Sequence, residues 1–178
     1  MTGRTESEAV QNFLDMLQKA VSCVTNSVIS VRGGYHVSVT PHRLILGPGG
    51  FHALGGPGQL SLSIILFYRI IENDVPGKPW KIVTTTYYYT FADESSQEVI
   101  AYHWHPTQRS HAIYPHLHME SGAQVGRSDI ANAHLPTGWV TLNDVIQLAI
   151  TELGVTPRRE DWLDVLDESR AIDGYLRG

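Results

Sequence analysis

The sequence predicts an α+β domain, in which helices lie mainly on one face of an antiparallel meander sheet of five or six strands. A helical apolar repeat near the N-terminus, short β-rich segments in the middle and two helical segments at the C-terminus predict this fold. The length of 178 residues suits a single domain spanning residues 1–178. Cys23 is the single cysteine of the chain, which excludes an internal disulfide and a zinc site built from cysteines.

The first predicted element is a helix over residues 6–24. Thr5-Glu6-Ser7-Glu8 has the form of a capping box, and apolar residues then recur at helical spacing from Val10 to Val24.

A β meander is predicted over residues 27–119, with hairpin turns at 73–79 and 93–96. The segment 47–58 holds six glycines and two prolines, which predicts a mobile flap or a long hairpin loop. The predicted strands lie near residues 27–32, 35–46, 60–72, 80–92, 97–105 and 113–119.

Residues 120–139 are polar and contain glycine, so they are predicted to form a loop. The region 140–174 is predicted to be helical. Thr141 caps its first helix, and Pro157 stands in the first turn of its second.

Charge and hydropathy limit the function classes. The net charge is −5, with the acidic excess in the C-terminal third, which disfavours a uniformly basic surface for nucleic acids. The sequence has neither an apolar run near 18 residues nor a signal-peptide start. We therefore predict a cytoplasmic protein that does not associate with a membrane. The oligomeric state is left open.

The most informative feature is a pair of His-x-His doublets, His103/His105 and His116/His118, 13 residues apart. Because side chains alternate along a strand, the two histidines of each doublet share one face. If the intervening residues form a hairpin, the four imidazoles face each other across neighbouring strands, with Arg109 and His111 at the rim.

Acid-base chemistry on a phosphodiester is the first interpretation of this cluster. His103, His105, His116 and His118 are the candidate catalytic residues, since one imidazole can accept a proton while another donates it. Arg109 would hold the phosphate, with His111 beside it, and aromatic residues such as Tyr102 and Trp104 would offer stacking surfaces for bases. This interpretation needs no cofactor and leaves RNA as a candidate substrate.

Two other interpretations stay open. The same four histidines, with Glu120 two residues beyond His118, could bind zinc or another transition metal. Alternatively, the histidines are a structural polar face of a non-catalytic protein–protein interaction module. His134 lies in a loop with a proline and a glycine and could fold back on the cluster, although a structural role is favoured.

Part of the chain resembles a known family. Leu60 to Ile71, Thr84 to Tyr89, Tyr102-His103-Trp104-His105, Pro115-His116-Leu117-His118 and Leu142 to Ile146 follow one another in the order found in TumE-type toxins of bacterial toxin-antitoxin modules and their uncharacterised relatives. The resemblance covers about residues 60–150. It implies a bacterial cytoplasmic protein whose histidine segment is its functional centre, inhibited by an antitoxin-like partner. The first predicted function is therefore a toxin-like, metal-independent ribonuclease or phosphodiesterase.

Overall fold

A computed structural model describes residues 1–106, 112–126, 128–131 and 133–173. In these residues an antiparallel sheet packs against helices from both ends of the chain. The strands are β1 (Thr2–Gly3), β2 (Ile29–Arg32), β3 (His42–Leu46), β4 (His52–Ala53), β5 (Ser61–Glu72), β6 (Trp80–Ala92), β7 (Glu98–Trp104), β8 (His116–Met119) and β9 (Leu135–Pro136). The helices are α1 (Glu6–Ser22), α2 (Ser128–Ala131), α3 (Leu142–Thr151) and α4 (Trp162–Asp173), with a single 3₁₀ turn at Ser121–Ala123.

The sheet is built in sequence order. Its main path runs β2-β3-β5-β6-β7-β8-β9, while β1 pairs with β6 and β4 pairs with β5. Every strand pair in the described residues is antiparallel. The longest pairing, between β5 and β6, contains a register shift at Phe67/Tyr68.

The core lies between one face of this sheet and the helices. Thr5 caps α1 by accepting a hydrogen bond from the Glu8 backbone N–H, and the helix then buries one side among the strands. Phe13, 1% exposed, meets the fully buried Tyr68 edge to face, with ring centroids 5.8 Å apart. α3 and α4 pack on α1, and Leu166 of α4 is fully buried.

The predicted α+β fold class, with its N-terminal helix, two C-terminal helices and antiparallel sheet, is confirmed. The third strand is shorter than the predicted 35–46 and begins at His42. Two causes are visible: Gly33 and Gly34 have positive φ, and Pro41 has no N–H to donate to a neighbouring strand.

Three segments hold structure that the sequence pattern did not reveal. Residues 47–58 include β4, and Gly55 accepts a hydrogen bond from the Thr156 N–H at 2.9 Å, so this segment lies against the C-terminal region. Residues 120–139 include α2 and β9. The last helix begins at Trp162 and not at Pro157; residues 158–161 form bends and turns.

The other face of the sheet carries the histidines. Tyr102 and Trp104 pack against the core, so strand alternation turns His103 to the opposite face. None of the helices that the described residues form is long and apolar enough to cross a membrane.

Candidate functional site

Strand register brings the two histidine doublets together. β7 and β8 are antiparallel neighbours in which His103 lies directly opposite His116 and Ala101 lies opposite His118. In the next pair, Leu117 lies opposite Leu135, so the residue before β9, His134, comes beside His118. The expected hairpin arrangement of the doublets is therefore present, and a fifth histidine joins it.

The imidazole rings form one continuous cluster, named here the histidine cluster: His103, His105, His116, His118 and His134. The ring centroids of His103 and His118 lie 4.9 Å apart, and those of His116 and His118 also lie 4.9 Å apart. His134 is 4.4 Å from His118, while His105 is 5.2 Å from His116. His116 thus has neighbouring imidazoles on several sides.

His116 is held in one tautomer. Its Nδ1 lies 2.8 Å from the backbone carbonyl oxygen of Tyr114. Because a carbonyl only accepts, Nδ1 carries the hydrogen, and the neutral ring keeps its lone pair on Nε2. That Nε2 atom is buried and has no hydrogen-bond partner among the residues that the structure describes, and the His116 residue is fully buried. A buried polar atom of this kind needs an explanation, because leaving it unsatisfied costs about 1–3 kcal/mol.

A metal ion would supply the missing partner. One ring nitrogen from each of His103, His116 and His118 lies within 4.8 Å of the other two. Metal-binding histidines commonly donate their second ring N–H to a backbone carbonyl, as His116 does. In the described part of the chain, Glu120 does not join this group. The group that could hold a metal ion is therefore three imidazoles, a donor set that would suit zinc and other borderline transition metals.

Burial favours the neutral form of His103, His105 and His118. It lowers the pKa of His103 to about 3 and that of His118 to about 4, and the neighbouring histidines lower both values further. Burial is also the main cause that lowers the pKa of His105. At neutral pH these rings offer lone pairs, as metal ligands must, but they do not supply a proton as general acids.

The other residues predicted for the site lie in different places. Tyr102 packs against the core on the helix side of the sheet, so its ring does not face the histidine cluster. Trp104 is on that side too, 4.5 Å from Trp139 between ring centroids. Strand alternation thus separates the ring of Tyr102 from that of His103. Arg109 and His111 lie outside the described residues.

Glu120 is partly buried beyond the end of β8. Burial, followed by the charge of Glu98, raises the pKa of its carboxyl group. Its backbone N–H donates to the Val99 carbonyl, which continues the pairing of β8 with β7 by one residue.

Two further residues, His134 and Tyr88, lie beside the histidine doublets. His134 was favoured as a structural loop residue, and the two-residue strand that fixes it beside His118 gives almost no periodic signal. Tyr88 of β6 lies opposite His103, and its ring stacks on His105 with centroids 5.7 Å apart. Strand alternation could have indicated this position, because Tyr88 lies between the buried Tyr87 and Tyr89 and so faces the other side of the sheet.

Fold and site together define an α+β protein with a histidine cluster on the sheet face opposite its helices. No protein-family model, curated protein or solved structure matches the chain.

Proposed function

We propose that the protein is a transition-metal-dependent hydrolase whose metal ligands are His103, His116 and His118. The observation that carries the proposal is the buried, unpartnered Nε2 of His116, whose lone pair is fixed by the hydrogen bond from Nδ1 to Tyr114. The nearby ring nitrogens of His103 and His118 complete a set of three.

Three protein ligands leave a position for water or substrate, as in catalytic zinc sites. Zinc bound in such a site lowers the pKa of its water to about 7 and so supplies a nucleophile at neutral pH. This chemistry does not require a protonated imidazole. It therefore agrees better with the lowered pKa values of His103 and His118 than metal-free acid-base catalysis does.

Phosphodiester hydrolysis, predicted from the sequence, is retained as the reaction class of this proposal. A toxin-like role, RNA as the substrate and an antitoxin-like partner stay predictions. A protein that binds no metal and has only a structural histidine cluster would instead be an interaction module, and the first experiment separates these functions.

The experiment is calorimetric titration of Zn²⁺ into metal-free protein prepared without an affinity tag. We expect one zinc ion per chain, with binding strongly weakened in His103→Gln and His116→Ala because each loses a ligand. Circular dichroism checks that both variants fold, and the partly buried His103 tolerates substitution better than the fully buried His116. His36→Gln is the matched control, since it removes an exposed imidazole outside the cluster.

Absence of zinc binding to the wild-type protein, or equal binding by folded His103→Gln, overturns the proposed metal site. Hydrolysis of bis(4-nitrophenyl) phosphate should depend on zinc and be lost in His103→Gln. Zinc binding without this hydrolysis contradicts the phosphodiester part of the proposal.

A further inference from the structure

A cleft of about 630 Å³ opens beside the histidine cluster, near the C-terminal end of β7. Its lining includes Phe67, Arg69, Thr86, Trp104 and Pro106. The volume falls within the range of about 300–1,000 Å³ that is typical of small-molecule sites.

Strand register joins this cleft to the histidine cluster. Tyr87 pairs with Trp104, so the preceding residue of β6, Thr86, comes beside His105, while Phe67 lies opposite Thr86 on the other side. His105 in turn lies 5.2 Å from His116, between ring centroids. Phe67 and Thr86, which line the cleft, therefore lie on the same sheet face as the histidine cluster, next to His105.

The positive charge around the cleft favours the binding of an anion. Arg69 is the charged residue among those described in its lining, and none of them is acidic. One Arg69 N–H donates to the Val39 carbonyl at 2.6 Å. This hydrogen bond holds the guanidinium group in place, and the group has five N–H donors in all. The Arg43 guanidinium lies 6.0 Å from the centre of the Phe67 ring and adds a second positive charge nearby.

The remaining surface is largely apolar and aromatic. Phe67 is only partly buried, and Trp104 and Pro106 line the cleft with it. Stacking of a nucleobase on an aromatic side chain is worth about 1–3 kcal/mol, and hydroxyl groups such as that of Thr86 suit a ribose. A guanidinium group, hydroxyls and aromatic rings together match a nucleotide better than they match a bare inorganic anion.

We infer that this cleft binds one nucleotide of the substrate, with its phosphate on Arg69 and its base against Phe67. The inference rests on the proposed function for its claim that the ligand is a substrate. Binding itself involves residues of β5, β6 and β7 that are separate from the three proposed metal ligands.

The test is calorimetric titration of adenosine 5′-monophosphate into metal-free protein, with adenosine and inorganic phosphate as separate arms. We expect one nucleotide to bind per chain. Adenosine and inorganic phosphate should each bind more weakly than the nucleotide, by about tenfold or more. Arg69→Gln should weaken nucleotide binding by about tenfold or more, because a charge-assisted hydrogen bond is lost. Arg32→Gln is the matched control, since Arg32 is exposed on β2 and does not line the cleft.

The inference is overturned if the wild-type protein does not bind the nucleotide, if Arg69→Gln binds it equally well, or if phosphate alone binds as tightly. Zinc titration of the same Arg69→Gln protein should match the wild type. A wild-type protein that binds zinc but not the nucleotide rejects only the cleft, whereas a wild-type protein that binds the nucleotide but not zinc rejects only the proposed metal site.

Discussion

His116 donates its Nδ1–H to the backbone carbonyl of Tyr114, two residues earlier, across 2.8 Å. This contact fixes the ring and leaves the buried Nε2 facing other imidazoles instead of a hydrogen-bond donor. The histidine cluster therefore contains a preoriented lone pair, which distinguishes it from a set of surface histidines that interact with water.

Replacing His118 should affect zinc affinity more than replacing His134. His118 belongs to the group of three close ring nitrogens, whereas His134, the residue before β9, lies beside it. We expect His118→Ala to abolish measurable zinc binding and His134→Ala to weaken it by about 10–100-fold, as for groups that support a ligand. Calorimetric titration measures both, and equal losses would mean that His134 is itself a ligand.

Acid should destabilise the metal-free protein through the buried histidines. In the unfolded chain their pKa is near 6.5, but in the folded protein it is about 3 for His103 and about 4 for His118. Below pH 6.5 the unfolded state therefore binds protons that the native state does not, so the free energy of unfolding falls as the pH drops toward 4. Urea unfolding at several pH values should give a shallower fall for the His103→Gln/His118→Gln double variant. Parallel curves for the two proteins would contradict the lowered pKa values.

Phe13→Ala should destabilise the fold without altering the metal site. Phe13 is 1% exposed and contacts Tyr68 on the helix side of the sheet. Its truncation should lower the free energy of unfolding by about 3–5 kcal/mol, because a cavity is left in the core. Val39→Ala, at a residue that is 89% exposed, is the control and should change it by less than about 0.5 kcal/mol. Zinc affinity of the folded fraction should be unchanged in both, and a specific loss in Phe13→Ala would couple the two faces.

Thr141→Ala should remove the capping box of α3. The Thr141 hydroxyl accepts from the Asp144 N–H, and the Asp144 carboxylate accepts from the Thr141 N–H at 2.9 Å. Loss of the side-chain cap should cost about 1 kcal/mol of unfolding free energy. Thr141→Ser keeps the hydroxyl and should stay close to the wild type in urea denaturation. An equal loss in both variants would show that the methyl group, not the cap, stabilises this helix end.

Local periodicity was sufficient to predict most of the fold. The apolar face of α1 and the alternation along β5 and β6 are visible in the sequence because each element buries one side. Short elements such as β4 and β9 were not predictable, since two residues have no period and their pairing depends on distant strands.

The histidine doublets were predictable as a shared patch because alternation is a local property, and register then required only a hairpin. The special state of His116 was not predictable, because its burial and its bond to the Tyr114 carbonyl depend on the three-dimensional path of the residues around it. This burial of His116 is the observation that favours metal chemistry over acid-base chemistry in the proposed function.

X-ray absorption spectroscopy of the zinc-loaded protein tests the metal centre most directly. The fine structure should require three imidazole nitrogens at about 2.0–2.1 Å, with one oxygen ligand completing the shell. The His103→Gln variant should lose one imidazole contribution. A zinc spectrum that fits oxygen ligands alone, or that does not change in this variant, would contradict coordination by His103, His116 and His118.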